Sequence, residues 1–158
     1  MMKAHAEVRM SRSRLKDEVF MNMARELSRL GTCCRLQVGA VLLRTDGGIA
    51  AAGFNGALPG MAHCTPETCK PGQRCLHTSH AEENALGFCD GPVATAYVTH
   101  EPCLVCCRAL VRRGVRRVVF RHAYTSIADQ ERAERQGILD HFSVRWEQLV
   151  GEETSKQP

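Results

Sequence analysis

The chain has 158 residues, 44% hydrophobic and 24% charged, which suits one globular domain with one hydrophobic core. No run of about eighteen apolar residues occurs, which excludes a transmembrane helix; the basic N-terminal stretch lacks the apolar segment of a secretory signal, so the expected location is cytoplasmic. A formal charge of +4 is compatible with phosphorylated small molecules but too modest to indicate nucleic-acid binding.

Residues 1–13 read as a flexible N-terminal tail, 14–150 as one domain and 151–158 as a flexible C-terminal tail. Over residues 15–30, Val19, Phe20, Met23, Ala24, Leu27 and Leu30 recur at helical spacing, with Gly31 as a stop. Residues 37–43 and 49–53 are short apolar runs separated by the turn Thr45-Asp46-Gly47-Gly48, an antiparallel hairpin. Residues 55–78 form a long Gly-, Pro- and Cys-rich connection, a length that calls for a function or a staple. The spacing then predicts helices over 79–88, 103–113 and near 128–136, and strands over 95–100, 115–121 and near 142–146. The α-β-β-α-β-α-β-α-β order predicts an α/β fold, a three-layer α/β/α sandwich around a mixed five-stranded sheet. The run Arg112, Arg113, Arg116 and Arg117 reads as a solvated helix end and strand edge, with phosphate or partner binding as the alternative.

Nine cysteines, an odd number in a chain without a signal, argue for metal binding or chemistry rather than a disulfide framework. His80-Ala81-Glu82 and Pro102-Cys103-Leu104-Val105-Cys106 each stand at a predicted helix start. A catalytic zinc takes three protein ligands of nitrogen and sulfur and leaves its fourth position open; His80, Cys103 and Cys106 supply such a set. Cys103 and Cys106 lie one turn apart on one helix face, and a helix N-terminus favours the thiolate. Glu82 is too near His80 in sequence to need a ligand's role and is the candidate proton carrier. The Ala81 and Cys103 N–H groups can hold a carbonyl or developing charge. Cys107 reads as a small core residue, and Cys34 and Cys89 as ordinary core or surface positions.

His80-Ala81-Glu82-Glu83-Asn84-Ala85 resembles the HAExNA box of the deoxycytidylate (dCMP) deaminases, and His-x-Glu followed by Pro-Cys-x-x-Cys is the zinc deaminase signature. Residues 33–41 resemble their C-x-R-x-x-V-G-A-V segment, and Gly53-Phe54-Asn55-Gly56 their Gly-Tyr-Asn-Gly segment, with His63-Cys64 following. Tyr97-Val98-Thr99 and residues 114–119 continue the likeness, which runs from about 18 to 145. The chain is thus identified as similar to the zinc-dependent cytidine/deoxycytidylate deaminase family, in particular its bacterial late-competence-operon and phage members. The resemblance implies a cytidine deaminase-like fold, hydrolysis of dCMP to dUMP and ammonia for thymidylate supply, and a homo-oligomer, commonly a hexamer. It also implies dCTP and dTTP as effectors, with Mg2+ accompanying the allosteric nucleotide. Asn55, by its own chemistry a turn former, is implied to hold the nucleotide beside Glu82. Two departures bear on regulation and nucleotide contacts: Phe54 where Tyr is usual, and Thr125 after Tyr124 where a basic residue is common.

Cys64, Cys69 and Cys75 crowd the long connection and supply three ligands of a closed structural zinc site, which needs four. The resemblance points to Cys33 as the fourth, with His77 and His63 as competitors. Two other readings stand beside the dCMP deaminase: a related zinc deaminase acting on another base, nucleoside or drug, and a non-catalytic zinc scaffold or competence accessory. The tRNA-editing version of the first lacks this cysteine-rich insertion, and an intact Glu82 argues against the second.

Overall fold

The run GAVLL needs burial on both faces, and a computed structural model describing residues 11–70 and 75–151 puts all five residues out of solvent. The elements are α1 (Arg12–Ser28), β1 (Gly39–Leu43), β2 (Ile49–Phe54), α2 (Ala81–Gly87), β3 (Thr95–His100), α3 (Leu104–Arg112), β4 (Arg117–His122), α4 (Asp129–His141) and β5 (Arg145–Gln148). Their order is the expected one. The strands form one mixed sheet, β2-β1-β3-β4-β5, with β1 antiparallel to β2 and β3, and β3, β4 and β5 mutually parallel.

Side-chain alternation divides the core between the two faces of this sheet. Ala40, Leu42, Ala96, Val98 and Val118 meet the apolar sides of α2, α3 and α4, represented by Ala85, Leu110 and Leu139. Val41, Leu43, Tyr97 and Val119 meet α1 through Met21 and Ala24. The result is the expected three-layer α/β/α sandwich. Gly39 makes the α1 layer possible, since a Cβ there would lie 1.9 Å from the Ala24 carbonyl oxygen. Among the described residues no helix is long and apolar enough to cross a membrane.

Several boundaries and faces differ from expectation. The Ser11 side chain accepts the Arg14 N–H at 3.3 Å and caps a helix starting at Arg12, so residues 11–13 join the domain rather than the tail. Residues 1–10 and 152–158, the remainder of the expected tails, lie outside the described residues. The predicted α1 stripe is half right: Ala24 is buried and Phe20 and Leu27 pack against the core, joined there by Asp17 and Met21, whereas Val19 and Met23 are exposed, as is Leu30 beyond the helix end. The long connection is closed at its neck by paired Gly56 and Ser79 backbones. Helix α4 runs through Gly137 to His141, which moves β5 to Arg145–Gln148; Gly137 sits where an added Cβ would touch nothing, so only its propensity is lost.

An acidic residue turns the α1 face. Asp17 accepts from both Arg117 amino groups at 2.7 Å and from the Tyr97 hydroxyl at 2.6 Å, and Arg117 Nε donates to Glu147 at 2.6 Å. Arg117 is therefore no solvated strand edge, and Arg113 donates to the Leu86, Cys89 and Gly91 carbonyls. Burial opposes the Asp17 charge, but the Arg117 and Tyr97 bonds outweigh it and lower its pKa below the usual aspartate range. A depressed carboxyl stabilises the fold above its unfolded pKa, about 3.9, and loses that contribution as pH falls through the folded value. Asp17→Ala is expected to cost about 2–4 kcal/mol in urea melts at pH 7, since the Tyr97 hydroxyl loses its acceptor and both Arg117 amino groups lose theirs, leaving Glu147 to hold the guanidinium through Nε alone. The gap from wild type should narrow steadily below about pH 4.

Candidate active site

Two helices begin beside one another. His80 is the N-cap of α2 and Cys103 the N-cap of α3, both with extended backbone, so their side chains leave the helices at the point where the chain enters them. Helix α2 thus begins two residues later than predicted and α3 one residue later. The His80 N–H donates to the Glu83 carboxylate at 2.8 Å, which secures the first turn of α2. Asn84 Nδ2 donates to the Phe54 carbonyl at 2.7 Å and ties α2 to the end of β2. Gly53 allows the two to touch, because a Cβ there would stand 2.6 Å from the Ala85 nitrogen. Helix α3 is held by Glu131, whose carboxylate accepts the Leu104 N–H at 3.0 Å.

This arrangement brings His80 Nδ1 within 3.3 Å of Cys106 Sγ and 3.6 Å of Cys103 Sγ, and all three ligand atoms lie within 4.8 Å of one another. A tetrahedral zinc with Zn–S about 2.3 Å and Zn–N about 2.0–2.1 Å needs N···S separations of roughly 3.6 Å, so the donor set fits zinc with the fourth position left over. A hydrogen bond from Cys106 outweighs burial and holds the Cys103 thiol down to about 3, helped by His80; the same bond, with burial, pushes Cys106 up. A cation bound between the two sulfurs would favour the thiolate form of both. Glu82, 3% exposed, is pushed up to about 7 by burial.

These groups open on a cleft of about 970 Å³ whose lining includes Leu36, Val38, Ala81, Glu82, Tyr124 and Ile127. Ala81 is among its lining residues. Asn55 does not appear in the lining: it is buried, with Oδ1 accepting the Val38 N–H and Nδ2 donating to the Leu36 carbonyl, each at 2.7 Å. Its amide therefore shapes the cleft through residues 36–38.

A second cluster gathers Cys33, Cys64, Cys69 and Cys75, four sulfurs within 4.8 Å of one another. The chemistry suits a closed tetrahedral zinc site, whose sulfurs stand roughly 3.8 Å apart. His63 and His77 are exposed and stand outside this group. Burial pushes Cys64 up to about 12 and Cys69 up to about 11. At Cys33 and Cys75 burial is outweighed: N–H groups of Arg35 and Leu36 lower the first, and the Thr78 hydroxyl with the His77 N–H lowers the second to about 6. Cys34 is exposed, and its N–H donates to Cys64 Sγ at 3.3 Å; Cys89 and Cys107 are core residues.

Sequence reasoning passed over two cleft residues. His100 is packed against His122, ring centroids 4.8 Å apart, and burial together with His122 lowers it to about 4. The strand register pairs these two histidines, but their alignment needs β3 and β4 to be placed first. Glu101 is buried against Arg135, a partner 34 residues away that no local spacing announces.

Fold and cleft together define a deaminase of the nucleoside and nucleotide class. The family described as cytidine and deoxycytidylate deaminase zinc-binding region matches residues 14–122, and the chain belongs to it. ComE operon protein 2 of Bacillus subtilis (strain 168) is 37% identical over 131 residues, covering 77% of this chain and 68% of that protein. The deoxycytidylate deaminase of Mycobacterium phage D29 is 37% identical over 122 residues, 66% of this chain and 92% of the phage protein. The crystal structure of dCMP deaminase from the cyanophage S-TIM5 in complex with dCMP and dUMP superposes with TM-score 0.70 at 26% identity, covering 89% of this chain and 99% of that one. The protein is accordingly an enzyme of the hydrolytic deaminase class.

Asn55→Ala would orphan a buried N–H and a carbonyl of the cleft wall. The expected cost is roughly 2–4 kcal/mol in denaturant melts, with faster hydrogen exchange at the Val38 amide.

Proposed function

We propose that this enzyme hydrolyses dCMP to dUMP and ammonia. The observation that carries the reading is the buried Glu82 carboxyl beside the His80, Cys103 and Cys106 trio on the wall of a nucleotide-sized cleft. The dCMP- and dUMP-bound cyanophage relative and the mycobacteriophage deoxycytidylate deaminase support the choice of substrate.

In this reading His80, Cys103 and Cys106 hold the catalytic zinc, which supplies a Lewis acid that makes water a nucleophile near neutral pH. Glu82 takes one proton from the water and delivers it to ring nitrogen N3, which prepares C4 for attack. The water oxygen bonds to C4. Glu82 then carries the second water proton to the exocyclic amine, and the C4–N bond breaks to release ammonia. Near neutrality a buried carboxyl can both accept and give a proton, which is the property this shuttle needs. The Ala81 N–H holds the ring carbonyl in this reading, and Asn55 serves the nucleotide by fixing the wall at 36–38, a role its bonds to that backbone support. Cys33, Cys64, Cys69 and Cys75 hold a second, structural zinc that fastens the long loop to the segment before β1. A homo-oligomer regulated by dCTP and dTTP with Mg2+ completes the reading; light scattering at micromolar concentration, with and without these nucleotides, checks it.

Ammonia release measured against dCMP, dCTP, deoxycytidine, cytosine and adenosine tests the substrate. Turnover greatest on dCMP supports the proposal, and greater turnover on any of the others overturns it. Glu82→Gln should keep its zinc and lose about 10²–10⁴-fold in kcat; a variant above about a tenth of the wild-type rate removes Glu82 from the proton path. Metal analysis should find about two zinc ions per wild-type chain and about one in Cys69→Ser, with a lower melting temperature for the variant.

A further inference from the structure

Glu101 lines the cleft immediately before Pro102-Cys103, and three donors meet its carboxylate. Oε1 accepts from Arg135 Nη2 at 2.5 Å and from Trp146 Nε1 at 3.0 Å; Oε2 accepts from the Tyr124 backbone N–H at 2.9 Å. Arg135 also donates to the Pro102 carbonyl at 3.3 Å, and its guanidinium lies 5.1 Å from the Trp146 ring centre. The Glu101 and Arg135 side chains are each 6% exposed. One carboxylate therefore joins the residue preceding Pro102-Cys103, the segment after β4, helix α4 and strand β5.

A buried ion pair of this kind contributes little net stability relative to an apolar pair, because both charges lose their hydration. Its geometry is what an apolar pair cannot reproduce. The segment 124–128 supplies Tyr124, Ser126, Ile127 and Ala128 to the cleft, and it has no regular structure of its own. Its first residue is held by Glu101. Beyond its far end, α4 is held against the start of α3 by Glu131 and against Pro102 by Arg135.

We infer that Glu101, locked by Arg135, is a positioning residue that fixes the 124–128 wall of the cleft at its working distance from the Pro102-Cys103 segment, and through that distance sets nucleotide affinity. The inference rests on the deaminase reading for its kinetic consequence but not for its structural one. Glu101 touches neither the water nor the amine, so its loss should separate binding from chemistry.

Glu101→Gln turns one amide N–H₂ toward a donor and breaks at least one of the three links. In the zinc-loaded enzyme, KM for dCMP should rise about tenfold while kcat stays within about threefold and zinc content is unchanged. Trp146, the chain's one tryptophan, should change its fluorescence, and hydrogen exchange across 124–128 should accelerate. An unchanged KM, or a fall in kcat as large as the rise in KM, overturns the inference. If Glu101→Gln fails to fold, the wild-type enzyme decides: a Tyr124 amide exchanging at the rate of a free peptide overturns the clamp, and a protected one supports it. A wild-type enzyme inactive on dCMP sinks the substrate reading alone, and exchange across 124–128 in the variant then decides the clamp.

Discussion

Two sulfurs and an imidazole nitrogen are held within 4.8 Å of one another, and most of the surrounding structure answers to that crowding. Electron-rich groups packed so closely repel one another unless a proton or a cation lies between them. Helix N-termini ease the problem by presenting N–H groups to sulfur. Both ligand segments are therefore helix starts, and the helices must meet end to end. Gly53 lets α2 lie on β2, Asn84 ties it there, and Glu131 sets the start of α3. Glu82 inherits its burial from the same packing: the second residue of a helix pressed on the sheet has little access to water, and its carboxyl rises to about 7.

Buried acid–base pairs hold the layers in position where apolar packing would leave them free to slide. Asp17–Arg117–Glu147 locks α1 across β4 and β5, and Glu101–Arg135 locks α4 to the end of β3. Each pair loses hydration and recovers it through hydrogen bonds with fixed direction, so the gain lies in orientation more than in stability. The same reasoning explains why α1 exposes Leu15, Val19 and Met23: the helix turns to bring Asp17 to its partners, and these apolar residues follow to the outside.

The parts of this protein that could be read along the chain were those whose signals are local. Strand alternation, the hairpin turn at 45–48 and the two short metal-binding segments all carry their meaning within a few residues, and they led to the sheet, the element order and the family. The buried face of α1 was partly misjudged because an aspartate at an inward position breaks the apolar stripe, and its partner lies 100 residues away. Glu101 was missed for the same reason. Asn55 carried a nucleotide-holding role by resemblance; its amide also binds the backbone of 36–38, a pairing that continues the β1–β2 hairpin one step beyond Gly39 and Phe54. Three members of the four-cysteine cluster were legible from crowding in one loop, while Cys33, distant along the chain, came only from the resemblance.

The two cysteine-containing clusters differ in how far the chain must travel to assemble them. His80 lies before β3 and Cys103 and Cys106 after it, so this trio cannot converge until β3 has docked beside β1 in the sheet. Cys64, Cys69 and Cys75 are neighbours along the chain, and Cys33 reaches them by closing only the hairpin of β1 and β2. Loop-closure entropy rises slowly with length but must be met before any distant contact returns it, so local closures come first. The tetrad can form on an N-terminal half still emerging during synthesis. The His80, Cys103 and Cys106 trio waits for the second half, so the two clusters assemble in the order in which the chain supplies them.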